Sequence, residues 1–229
     1  MRKLERLTCG LMLLCLFGVL VMPTSSAKGD TTPPEPSTNA ASHYCRALLL
    51  LGTVPTESRQ MLSKPLFEVF GDSSKEEINA AISPLIFQGR HAIRAALHGC
   101  EQDVCQFGID YCDAGQGSAA YHAPLMLELN RLVTLAGVQQ AIEGNQQQAM
   151  TIFMAALNMG QHMADEPTLI EDLIGIEMME NAYYMLALWG TRCDDQKLIK
   201  TAFEELQNSK CKLTPGDMML AEASILNQQ

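Results

Sequence analysis

No pair of histidines at HExxH spacing occurs in this chain, nor an ExxH pair of the kind that binds two irons in a helical bundle. CxxC is missing too, and with it the CxxCH motif of covalent haem attachment. There is no glycine-rich phosphate loop and no GxSxG elbow, so the familiar nucleotide-binding and hydrolase sites have no basis here. Basic residues are few, with 16 Lys and Arg against 26 Asp and Glu. An acidic surface repels phosphate backbones, which disfavours nucleic acid, and no nucleic-acid partner is expected. No sustained alternation of apolar and polar residues appears, so a β-sheet is not expected.

What is present begins with a leader. Arg2, Lys3 and Arg6 precede an apolar run from Leu11 to Met22, and Ser25-Ser26-Ala27 follows. The run is shorter than the ~20 residues of a spanning helix, and small residues sit where a signal peptidase cuts. Cleavage after Ala27 is expected, with the protein exported to the periplasm or the extracellular space. Cys9 and Cys15 lie in this leader, but neither follows the small residue that lipid modification requires. An uncleaved anchor is the lesser alternative. Losing Arg2, Lys3, Glu5 and Arg6 leaves 13 basic and 25 acidic residues, a net charge of −12. No other segment is apolar enough to span a membrane. Residues 28–42, rich in Pro, Ser and Thr, read as a flexible linker. Residues 43–229 then form one domain.

That domain reads as all-α. Leu125, Leu129, Leu132, Val133 and Ala136 recur at helical spacing, as do Ala149, Ile152, Phe153, Ala156, Leu157 and Gly160. Gly144-Asn145 separates the two stripes, which predicts an antiparallel helical hairpin. Gly137, Gly144, Ala149, Phe153 and Ala156 fall where a tetratricopeptide repeat places its small and aromatic packing residues. Gln161 stands where that repeat expects proline. A helix from Glu76 to His98 precedes the hairpin, with Pro84 placed to break it. Another starts at Pro167 and runs to about Trp189, with an apolar stripe of Ile170, Ile174, Met178, Met185 and Leu188. Thr214-Pro215 opens a last helix. The expectation is about seven or eight helices packed as hairpins, in a tetratricopeptide-like short α-solenoid.

Six cysteines follow the leader: Cys45, Cys100, Cys105, Cys112, Cys193 and Cys211. An even number in an exported chain favours disulfides, though the sequence does not choose among the pairings. One pairing is disfavoured. Cys193 and Cys211 flank a helical segment whose ends lie roughly 25 Å apart, whereas a disulfide needs Cα atoms within about 7 Å.

The run CQFGIDYCDAGQG, residues 105–117, suggests three chemistries. Asp110 and Asp113 could ligate calcium, but Cys112 occupies an alternate position of an EF-hand loop and no distal Glu follows. His98, Cys100, Cys105 and Cys112 could close a zinc site, but their spacing fits no familiar finger. The favoured reading is a disulfide-pinned crossover with Phe107 and Tyr111 in the core and Asp110 capping backbone amides. No metal and no cofactor is expected.

A second constellation comprises His162, Glu177 and Asn181. Glu177 and Asn181 fall within the apolar stripe of their helix, where a buried carboxylate needs a partner. The functional reading is a polar pocket, with Asp110 as a further ligand-binding candidate. The structural reading, which is preferred, has Glu177 reaching outward while Asn181 bonds a neighbouring loop. The 14 methionines sit mostly at core spacing, as packing rather than copper ligands.

Asn39–Tyr44, CQFGIDYCDAG, the helical hairpin and MADEPTLIEDLIGI together resemble a family of exported, all-helical bacterial proteins frequent in planctomycetes. The family pattern is Cys-x-[Trp/Phe]-Gly-[Leu/Ile]-Asp-Tyr, matched by Cys105, Phe107, Gly108, Ile109, Asp110 and Tyr111. His162, Glu166, Pro167, Thr168, Leu169 and Ile170 match its later His and acidic-Pro-Thr-Leu-Ile helix start. Phe107 stands where tryptophan is more usual, and Cys112 where an acidic residue is. The second departure suggests a disulfide particular to this chain. The resemblance implies fold and export, and it brings no activity. A non-enzymatic scaffold that binds another protein is the leading expectation, and an enzyme or small-ligand binder is the rival.

Overall fold

The computed structural model describes residues 38–63, 66, 74–108, 121–166 and 168–208. Among them are seven α-helices and no strand, only an isolated bridge between Asn39 and Val104. The all-α expectation is met. The helices are α1 (Ala40–Leu51), α2 (Thr56–Arg59, followed by a 3-10 turn Gln60–Ser63), α3 (Lys75–Cys100), α4 (Ala123–Ile142), α5 (Gln146–Ala164), α6 (Leu169–Arg192) and α7 (Gln196–Asn208). No helix among the described residues is long and apolar enough to cross a membrane.

Local chemistry sets the starts of these helices. The Asn39 side chain accepts from Ala41 N, the cap that opens α1. Residues 40–42, expected as part of the linker 28–42, are instead helical, with Ala40 and Ala41 buried. Ser74 and Glu77 form a capping box at α3, each satisfying the other's backbone amide. Thr168, rather than Pro167, begins the next long helix, accepting from Glu171 N at 3.3 Å; Pro167 itself lies outside the described residues. Asp195 accepts from Lys197 N and Leu198 N, both at 3.0 Å, and so starts α7.

α3 is continuous through Pro84, where a break was expected. Proline removes one intrahelical bond, that to the carbonyl of Ala80. Ala80 and Pro84 both face solvent, so the freed carbonyl is open to water rather than buried.

The long helices meet their successors and their next-but-one neighbours: α3 on α4, α4 on α5, α5 on α6, α1 on α4, and α4 on α6. α4 is therefore enclosed, and every residue from Leu129 to Val138 is buried. Its apolar character extends around the whole helix, as an enclosed helix requires. The α4–α5 turn uses Gly144 at φ +88°, a conformation that side-chain-bearing residues rarely adopt. Gly137 lies under the Phe153 ring, and a Cβ there would come within 2.6 Å of it, which accounts for the small-aromatic spacing. α5 and α6 cross more closely still, since a Cβ on Gly175 would lie 2.5 Å from Ala164 N.

Met126, Met150, Met159, Met163, Met178, Met179 and Met185 are buried in this core, as packing residues. The expected stripe on α6 is corrected at its start, where Ile170 faces solvent. The helix expected between Cys193 and Cys211 is α7, whereas Cys211 and the helix expected from Thr214 lie outside the described residues.

Candidate functional site

The long helices α1, α3, α4, α5 and α6 alternate in direction, so the starts of α1, α4 and α6 gather at one end with the ends of α3 and α5. The segment Glu101–Gly108 crosses this end. Ala40 N donates to Val104 O at 2.8 Å. Asn39 donates through Nδ2 to Gln106 O at 2.8 Å and accepts from Gln106 N at 3.0 Å through Oδ1. Phe107 then packs against the His122 ring, with centroids 4.3 Å apart.

Titratable side chains collect beneath this strap. Tyr44 is fully buried, and Gly99 leaves room for its ring, since a Cβ there would come within 2.6 Å. Tyr44 Oη donates to Cys100 Sγ at 3.6 Å and lies 2.8 Å from His162 Nδ1. Burial, then the nearby Cys100, raises the Tyr44 pKa well above its ordinary value. Burial pushes the Cys100 thiol up to about 12, opposed in part by the Tyr44 hydrogen bond. Cys105 is raised by burial and then by the charges of Glu166, Cys45 and Cys100. Cys45, on the outer side, is raised by burial alone.

Beside this cluster His122 Nε2 meets Glu171 Oε1 at 3.2 Å, and Glu171 is 0% exposed. Thr168 Oγ1 donates to the other carboxylate oxygen at 2.7 Å. The helix cap and the His122 contact thus share one buried carboxylate.

The chemistry available here is limited. A thiol nucleophile works as the thiolate, and every shift resolved for these thiols favours the protonated form. Among the described residues no group of three or more His, Cys, Asp or Glu is placed to hold a metal. A hollow of about 610 Å³ lies elsewhere, at the α4–α5 turn, lined by Gly144, Asn145, Gln146, Gln147, Gln148 and Thr151. It contains none of the candidate site residues named from the sequence.

Those residues have separate partners. His162 joins Tyr44 at the end of the bundle. Glu177 accepts from Arg131 Nη2 at 2.6 Å on the flank of α4, with 43% of its side chain exposed. Arg131 also donates to Leu62 O at 2.7 Å, tying the 3-10 turn to α4. Asn181 donates to Glu177 O, one turn back on its own helix, and not to a neighbouring loop as expected. Asp110, Tyr111, Cys112 and Cys211 lie outside the described residues, and Phe107 is half-buried against the core. Cys45, Cys100, Cys105 and Cys193 carry no disulfide.

Sequence reasoning missed Tyr44, His122, Glu171 and Arg131. Two of these left signals: Thr168 and Glu171 stand at capping-box spacing, and Arg131 is a lone charge inside the run LVTLAGV and its leading Leu129-Asn130. Compared with family models, curated proteins and solved structures, the chain matches none.

Proposed function

We propose that this protein is an exported helical scaffold that binds another protein through stacked, tetratricopeptide-like hairpins. The observation that carries this reading is the exposure of large apolar side chains at two neighbouring helix starts. Tyr121 and Leu125 lie at the start of α4, and Ile170 and Leu173 in the first turns of α6. The His122–Glu171 pair holds these two starts together. Tyr121 is 78% exposed and Leu173 56%, more than a solitary surface apolar residue needs. Next-but-one helix packing supports the solenoid reading, since stacked hairpins leave one face free for partners.

The leader, the net charge of −12 and the even cysteine count support a periplasmic or extracellular location with disulfides. The same features disfavour nucleic acid as the partner. The planctomycete-type resemblance agrees with export. The rival small-ligand reading is less supported, because His162, Glu177 and Asn181 are held by different partners.

A photo-crosslinking side chain at position 173, compared with one at the exposed Gln147, tests the scaffold reading in a host that exports the protein. One discrete cross-linked protein from position 173, lost on Tyr121→Lys, supports it. Equal labelling from both positions, or none from 173, overturns it.

A further inference from the structure

The strap Glu101–Gly108 brings one cysteine to the start of α1. Val104 and Gln106, on either side of Cys105, are both hydrogen-bonded to residues 39–40, so the Cys105 backbone is fixed against the first turn of α1. Cys45 lies five residues further along that helix, a rise of roughly 7.5 Å from Ala40. Helical Cα–Cβ bonds tilt toward the N-terminus, which shortens the gap along the helix axis between the Cys45 thiol and the strap. The third thiol of the cluster is already engaged. Cys100 is buried in the core and accepts from Tyr44 Oη.

We propose that Cys45 and Cys105 form a disulfide in the exported protein, fastening the strap to α1 and leaving Cys100 as a buried thiol under Tyr44. The charges felt by Cys105 agree with this choice. Cys45 acts on Cys105 more strongly than Cys100 does, although Cys45 is the more exposed of the two and its field the better screened. Cys45 is also the thiol that a small oxidant in solution can reach.

The reaction balances against a low-molecular-weight disulfide such as oxidised glutathione. Cys45 as thiolate attacks one sulfur of the oxidant and expels a glutathione thiolate, giving a mixed disulfide. Cys105, after losing its proton to water, attacks the Cys45 sulfur and expels the second glutathione. One S–S bond has formed, the two protein thiols have given up two protons and two electrons, and the oxidant has become two thiols. Burial disfavours the thiolate that reduction must release, so the finished bond resists reduction and acts as a structural tie.

The biological occurrence of this bond rests on the export reading, and the two can fail separately. The leaderless chain is equilibrated in a mixture of oxidised and reduced glutathione, alkylated and digested without reduction. Trypsin is combined with a protease that cuts at Glu101, Asp103 and Asp110, which separates Cys100, Cys105 and Cys112 into different peptides. The expected product joins the Cys45 peptide to the Cys105 peptide, with Cys100 alkylated. Alkylated Cys45, or Cys105 joined to Cys100 or Cys112, overturns the proposal. Cys45→Ser is expected to lower the oxidised protein's Tm by roughly 10 °C and to leave the Tm in reductant unchanged. An equal loss in both conditions also overturns it. Fractionation of cells making the full chain tests export alone: retention in the cytoplasm with an intact leader sinks that reading, whatever the glutathione result.

Discussion

The middle of α4 and the end crossed by the strap both bury polar side chains, but they do so with different chemistry. In the middle, Asn130 donates to Ala156 O, Thr134 to Asn130 O, and Arg131 to Leu62 O. Neutral donors or a guanidinium meet backbone carbonyls there, and none of these groups changes charge between mild acid and mild alkali. At the end, Tyr44, Cys100, Cys105, His122, His162 and Glu171 meet one another or the strap. Every one of them can gain or lose a proton, and the thiols can also lose electrons. The middle therefore makes a frame, whereas the end makes a closure that depends on solution conditions.

The largest expected consequence is alkaline. Cys100 and Tyr44 hold their protons in the fold at pH values where the unfolded chain releases them. The unfolded state then binds fewer protons, so stability falls as pH rises. The Cys100 contribution is complete below its ordinary 9.0 and is lost as pH climbs toward about 12. Within that window the slope is about 1.4 kcal/mol per pH unit for each proton, with Tyr44 adding its own above pH 10.0. Urea unfolding of the oxidised protein at pH 8 and pH 11 measures it. Cys100→Ala is expected to flatten the fall by one proton's slope; an unchanged slope would place Cys100 in a disulfide and remove the difference between the two regions.

The frame is tested by size rather than by pH. Gly175→Ala puts a methyl against the backbone of Ala164 and Gly160, which cannot move aside as a side chain can. A loss of about 3 kcal/mol is expected, the same at pH 7 and pH 10. Gly190, on the same helix, has nothing within reach of an added Cβ. Gly190→Ala is expected to stabilise by up to about 1 kcal/mol through helix propensity. Trp189 is the chain's one tryptophan and reports both transitions by fluorescence.

Glu177→Ala comes next. It leaves the buried Arg131 bonded to Leu62 O but without its carboxylate. A buried pair broken in this way costs several kcal/mol, and the 43% exposure of Glu177 reduces that to about 2 kcal/mol. Helicity by circular dichroism should be unchanged. If a partner bound through position 173 is lost as well, Glu177 belongs to the interface and the frame is not only structural.

These contrasts explain what could be read from the residues alone. Helix positions were legible because glycine and proline interrupt the apolar rhythm, and the α4–α5 hairpin was legible down to Gly137 against Phe153. Ile170 was misread because periodicity reports a helix's face and not whether a neighbour covers it. The end cluster was illegible for a different reason: Tyr44 and His162 are 118 residues apart, and only the alternation of helix directions joins them. Arg131 was visible as an odd charge, but its carboxylate sits on another helix and its carbonyl on a short turn.

The smallest effect concerns Asn39, and it discriminates between two ways of holding the strap. Asn39→Ala removes the cap on Ala41 N and both bonds to Gln106. Water reaches these exposed groups, so the loss should be only about 1 kcal/mol. Asn39→Asp keeps an acceptor for both amides and adds a charge favourable at a helix start, while losing the donor to Gln106 O. It should cost about half as much. In the oxidised protein a Cys45–Cys105 bond would keep the strap in place, so Asn39→Ala should accelerate hydrogen exchange at Gln106 N about fivefold, as local opening of that one amide. In Cys45→Ser the strap is held by Asn39, Ala40 and the packing of Phe107 on His122, and the same substitution should release Val104 to Gln106 together. Identical exchange patterns in the two backgrounds would mean that the hydrogen bonds alone close this end.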